Sequence, residues 1–261
     1  MIYESLPLCG GGRMVLYAPS PLSEVDAEKT FPCVVLCPGG AYAYTSGREA
    51  EPLALKFLAQ GIACAVVYYT CHPGGHYPVS LLQVCEGMNL LRERAGEWHI
   101  QPDNLFVMGF SAGGHLAASV GNEWNTPAVT EKLGKSVRPR GMILCYPVIT
   151  SGEFAHKGSF QNLLGDSWSE EAAAERSQEK LVNADTPPAF LWHTFSDQAV
   201  PVENSLMMAA ALRRQGIPFE MHIYPQGQHG LSLCDEFVGS PVPHNAGWID
   251  LCVKWIMDTC A

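Results

Sequence analysis

Apolar residues along this chain fall into short, nearly unbroken runs, separated by longer stretches in which they recur every three or four positions. The runs cover residues 33–37, 62–69, 105–108, 141–146, 188–193 and 219–224, most of them apolar almost throughout, and are rich in Val, Ile and Tyr. A strand covered on both faces carries such a run, whereas a half-exposed strand alternates. Residues 49–60, 79–97, 112–121 and 203–215 read as helices; in the second, Leu81, Val84, Cys85, Met88 and Leu91 mark one face. Strand–helix alternation of this kind predicts an α/β fold: a three-layer α/β/α sandwich around a mainly parallel sheet of the eight-stranded type. Two further segments, 2–8 and 13–18, flank Cys9-Gly10-Gly11-Gly12 and predict an antiparallel hairpin at the sheet edge.

Residues 150–186 break the rhythm. They are polar and carry one predicted helix, over 169–180, with Ser169 as its N-cap ahead of Glu170 and Glu171. This excursion reads either as a lid or pocket wall, or as an ordinary surface connection. With no internal repeat and no low-complexity tract, residues 1–261 read as one domain carrying that insertion.

Composition narrows the classes of function. The 261 residues are 47% apolar and 16% charged, which excludes a disordered chain. The net charge of −10 and the lack of any Lys/Arg run argue against a surface that tracks nucleic-acid phosphates. No apolar stretch reaches the ~18 residues of a membrane span. The start, Met1-Ile2-Tyr3-Glu4-Ser5, lacks a basic region and an apolar signal core, so a cytoplasmic location is expected. Cys33, Cys37, Cys64 and Cys145 lie in or beside strand-like runs and no CxxC pair occurs among the ten cysteines, so the thiols read as buried and free.

The sharpest chemical signal is Gly109-Phe110-Ser111-Ala112-Gly113, between the run at 105–108 and the helix at 112–121. A G-x-S-x-G turn lifts a serine out of a strand end, and small flanking residues are needed because the turn is tight. The bare pattern is weak; the strand before it and the helix after it make it specific. Ser111 then sits at a helix N-terminus, where backbone N–H groups favour developing negative charge. A serine needs a base, and the base needs an orienting acid. In this architecture both follow the serine, acid first. Asp197 falls just past the run at 188–193, and His229 falls in a glycine-flanked loop after the run at 219–224. Of nine histidines, His193 and His222 lie within strands, His115 lies on the helix after the serine, and His72 and His76 precede it; His156 and His244 remain open. Asp185 and Asp235 are the alternative acids. For the oxyanion, Pro38-Gly39-Gly40-Ala41-Tyr42 follows the run at 33–37, at the place of an HGGG-type loop. It offers the N–H of Gly40 or Ala41 together with that of Ala112, unless it is a plain turn.

On these residues, and on Gly114-His115, Tyr146-Pro147-Val148-Ile149, His193-Thr194-Phe195-Ser196-Asp197, Val200-Pro201-Val202 and His229-Gly230-Leu231, the sequence resembles the α/β-hydrolase superfamily. More narrowly it is similar to the small bacterial esterases grouped with acetyl xylan esterases and feruloyl esterases, over almost its whole length. The resemblance implies a Ser111–Asp197–His229 triad, no metal, no organic cofactor, and a small ester substrate with a short acyl group, acetyl above all, on xylan-derived or other sugars. Tyr42, Tyr44, Phe154 and Trp168 are candidate walls for sugar or aryl rings. Rival readings are a general carboxylesterase or feruloyl esterase, a peptidase-like relative, and a non-catalytic module that kept the fold for binding.

Overall fold

The computed structural model describes residues 1–133 and 137–261. Eight strands form one sheet: β1 (Ile2–Pro7), β2 (Arg13–Ala18), β3 (Phe31–Cys37), β4 (Ala63–Tyr68), β5 (Ile100–Phe110), β6 (Gly141–Cys145), β7 (Ala189–Thr194) and β8 (Phe219–Tyr224). Their order is β1-β2-β4-β3-β5-β6-β7-β8. β1 and β2 make the expected antiparallel edge hairpin, β2 is antiparallel to β4, and every later pairing is parallel.

Alternation along the inner strands sends side chains into two cores, which explains their unbroken apolar runs, whereas the edge strand β1 packs one face only. Along β3, Cys33, Val35 and Cys37 face one core while Val34 and Leu36 face the other. The first core is closed by α2 (Val79–Glu93), α3 (Ala112–Glu123) and α8 (Glu203–Arg214), through Leu81, Val84, Met88, Leu116, Met208 and Leu212. The second is closed by α1 (Glu51–Leu58) and the C-terminal α10 (Trp248–Cys260), through Leu53, Phe57, Trp248 and Ile256. Seven of the ten cysteines are buried, and all ten are free thiols. Among the described residues, no helix is long and apolar enough to cross a membrane.

Two differences from the expected elements have local causes. β5 begins at Ile100 rather than 105 because Ile100 pairs with Phe31, ahead of a register shift and of polar residues that carry no strand signal. The helix expected over 169–180 is two: α6 (Glu170–Ala174), capped as expected by the Ser169 side chain on the Ala172 N–H, and α7 (Gln178–Leu181). Between them Ser177 is extended, its hydroxyl accepting from the Ser151 N–H at 3.0 Å, so a tertiary bond breaks the helix. An unforeseen helix, α5 (Lys157–Leu164), precedes them, and α4 (Pro127–Leu133) and α9 (Pro243–Ala246) complete the set described.

Candidate active site

From β3 the chain goes outward to β4 on one side, then returns to β5 on the other. Loops leaving such a pair diverge and open a crevice at the strands' carboxyl ends. Here those loops are Pro38–Tyr42 and the turn at Ser111.

Ser111 adopts φ 53° and ψ −119°, a strained backbone conformation for a side-chain-bearing residue. Bonds on both sides hold it there. Its N–H donates to the Cys145 carbonyl at 3.0 Å, and its carbonyl accepts from Val148 at 2.9 Å and His115 at 3.2 Å. Close approach dictates the glycines: a Cβ at position 109 would lie 1.9 Å from the Gly113 carbonyl oxygen, and one at 113 would lie 2.1 Å from that of Cys37.

His229 reaches this serine from the loop after β8. Its Nε2 lies 2.7 Å from Ser111 Oγ and its Nδ1 lies 2.6 Å from Asp197 Oδ2. Asp197 Oδ1 accepts from the Ala199 and Val200 N–H groups at 2.9 and 3.0 Å. A carboxylate only accepts, so Nδ1 carries the proton and the Nε2 lone pair faces the serine hydroxyl. Burial pushes the Asp197 carboxyl up, but bonds from His193 and His229, the electrostatic attraction of the His229 ring and the backbone N–H of Val200 outweigh it and hold the group well below the usual carboxylate range. His193 is fully buried; its Nε2 donates to the Val200 carbonyl at 2.9 Å and passes 3.4 Å from Asp197 Oδ2.

The cleft above Ser111 is about 160 Å³, with Gly40, Ala41, Tyr44, Arg48, Glu49 and His156 among its walls. The N–H groups of Gly40, Ala41 and Ala112 donate to no atom of the described residues, while that of Gly39 is taken by Glu49 Oε2 at 2.8 Å. The segment 150–186 reaches the same loop, because Asn162 of α5 donates to the Ala41 carbonyl at 2.9 Å.

Of the aromatic walls expected, Tyr44 is 62% exposed and lines this cleft. Tyr42 does not. It is buried, and its hydroxyl donates to His115 Nδ1 at 2.8 Å, so it holds a helix in the core and offers no face to a ligand. His115 donates from Nε2 to the Arg176 carbonyl, and burial pushes its imidazole down to about 4, leaving it neutral. Phe154 and Trp168 stand over separate depressions, the first beside Phe195 and Pro201 and the second beside Lys157 and Phe160. The alternative acids lie elsewhere, Asp185 bonded to Asn125 and Asp235 to the Val238 N–H. His156, left open by the sequence, lines the cleft; Arg48 and Glu49 do too, and no motif marks them.

Residues 21–212 match the BD-FAE family. Endo-1,4-beta-xylanase B of Butyrivibrio fibrisolvens is 37% identical over 214 residues, which are 78% of this chain and 33% of that protein. The acetylxylan esterase of Xylanibacter ruminicola is 35% identical over 206 residues, 77% of this chain and 41% of that protein. The chain thus spans less than half the length of either relative. Among solved structures, the acetyl ester-xyloside bifunctional hydrolase from Caldicellulosiruptor lactoaceticus has a TM-score of 0.82 at 38% identity, covering 95% of this chain and 88% of that one. The chain belongs to the BD-FAE family, an esterase family with the α/β-hydrolase fold.

Proposed function

We propose that this protein is a serine esterase that removes short acyl groups, acetyl first among them, from acetylated oligosaccharides such as those derived from xylan. The observation that carries the reading is the unbroken hydrogen-bonded chain from Ser111 Oγ through His229 to Asp197, at 2.7 and 2.6 Å, beside three N–H groups with no partner among the described residues. Its small cleft supports a small acyl group, being well under the ~300 Å³ at which pockets for drug-sized ligands begin. The sugar side rests on relatives that bear acetylxylan esterase and acetyl ester-xyloside hydrolase names.

In the proposed reaction His229 Nε2 takes the hydroxyl proton as Ser111 Oγ attacks the ester carbonyl. Asp197 holds the imidazole and stabilises its protonated form. The N–H of Ala112, with that of Gly40 or Ala41, binds the oxyanion. The C–O bond to the sugar breaks, and the departing oxygen takes the proton from His229. Water then attacks the acyl-enzyme, giving a proton to His229; the bond from the acyl carbon to Ser111 Oγ breaks, His229 returns that proton to Oγ, and the acid product, acetate in the proposed case, leaves. The segment 150–186 serves as a pocket wall, with His156 in the cleft and Asn162 bracing Ala41.

A serine-directed fluorophosphonate should label the protein at Ser111. Ser111→Ala should abolish labelling and lower kcat by roughly 10³ to 10⁶ with the fold retained. Turnover near the wild-type rate in that variant would contradict the assignment.

A further inference from the structure

Glu49 is a carboxylate buried under the cleft, 3% exposed, and none of the proton transfers above uses it. Its Oε2 accepts from the Gly39 N–H at 2.8 Å and its Oε1 from the Tyr146 hydroxyl at 2.6 Å. Tyr146 is itself 2% exposed, and its hydroxyl oxygen accepts from the Ser232 N–H at 2.9 Å. The Tyr146 ring meets His229 edge-on, with centroids 5.1 Å apart. Ser232 closes the circuit, its hydroxyl donating to the Arg48 carbonyl at 2.6 Å. A single buried acid–phenol pair therefore ties three loops: the one after β3 with the free N–H groups, the turn after β6, and the loop after β8 that carries His229.

A buried charge is costly unless bonds and neighbouring charges compensate it. Both oxygens of Glu49 accept, and the only proton of the Tyr146 hydroxyl is spent on Oε1, which is the arrangement of an ionised carboxylate. Burial dominates and leaves this carboxyl above its ordinary value, although the bonds from Tyr146 and Gly39 and the nearby His229 and Arg48 lower it in part. Tyr146 also holds φ 35°, a region that side-chain-bearing residues rarely occupy, so the bridge is built at a backbone cost.

We propose that Glu49, acting through Tyr146, is a positioning residue that fixes the Gly40–Ala41 N–H groups relative to His229 and sets a negative charge facing the imidazolium formed in the reaction. The proposal rests on the serine-esterase reading above. His229 is faced by Asp197 and Glu49 as acids, with Arg48 and His156 across the cleft. Glu49 is faced by Tyr146, Arg48 and His229, and more distantly by Tyr69 and Cys145.

Two variants separate charge from bridge. Glu49→Gln keeps the shape and removes the charge; Tyr146→Phe keeps the charge and breaks the bridge. Each is assayed with p-nitrophenyl acetate across pH, with fluorophosphonate labelling alongside. Both variants should lower kcat by about tenfold or more while KM moves by less than about threefold. Only Glu49→Gln should shift the acid limb of kcat/KM to lower pH, because the imidazolium then loses a facing negative charge. A kcat within about twofold of wild type in either variant, or an unmoved acid limb in Glu49→Gln, overturns the proposal. Wild-type protein that takes no label overturns the serine-esterase reading itself, and this proposal with it.

Discussion

His229 can take a proton only while its Nε2 lone pair is free, and Asp197 sees to that by holding the other nitrogen's hydrogen. Because the Asp197 carboxyl is held well below the usual range, it stays ionised in mildly acid solution, so in the proposed reaction a loss of activity there comes from the base and not from the acid that orients it. Activity should fall as pH drops from about 8 to about 5; a flat profile with the fold intact would count against a histidine base. The same depression has a stability sign. Asp197 contributes stability above the ordinary carboxylate value, and this is lost as pH falls from there toward its own low value. Asp197→Asn should therefore flatten the acid loss of stability, seen as Tm against pH, while costing kcat roughly 10³ to 10⁴ through the wrong imidazole tautomer. A wild-type slope in Asp197→Asn would mean that the acid loss arises elsewhere. At this scale Ser111, Asp197 and His229 were legible, because a strained turn and two strand-end loops leave compositional marks. Glu49 was not: a single acidic residue at a predicted helix start looks like dipole compensation, and only tertiary packing shows that it is buried beneath Gly39.

The turn between β5 and α3 is the element on which the site depends most. Its glycines are required by backbone contact rather than by chemistry. At position 113 the obstructing atom is the Cys37 carbonyl oxygen on the neighbouring strand, and no rotamer change relieves it. Gly113→Ala should lower stability by roughly 2–4 kcal/mol and displace Ser111 from His229. Thermal unfolding and labelling rate together check this; a variant with wild-type Tm and labelling would show that the turn has room. The strands and long helices were readable because each buries a face with a regular period, as Leu81 to Leu91 do on α2. The stretch from α5 to α7 was read poorly for the opposite reason. Its few apolar residues, such as Phe160 and Leu163, give little periodicity, and the break at Ser177 is set by a partner at Ser151.

For the whole molecule, the sheet order places the Ser111 turn and the Gly40–Ala41 loop on adjacent strands, with Asp197 and His229 arriving from β7 and β8, beyond β6. The cleft so formed is small, which predicts a preference along an acyl series: kcat/KM should fall from acetyl to butyryl to octanoyl esters of one alcohol. Preference for octanoyl would require a channel that the cleft does not contain. Tyr44 is the exposed aromatic side chain at its rim, and on the proposed reading it is the one that would meet a sugar ring. The most direct measurement is acetate release from acetylated xylooligosaccharides by wild type and Ser111→Ala, set beside p-nitrophenyl acetate. A serine esterase for acetylated sugars releases acetate with kcat/KM above that for the activated ester, and loses this in Ser111→Ala. No release from the sugar by wild type, or release that survives the loss of Ser111, would contradict it.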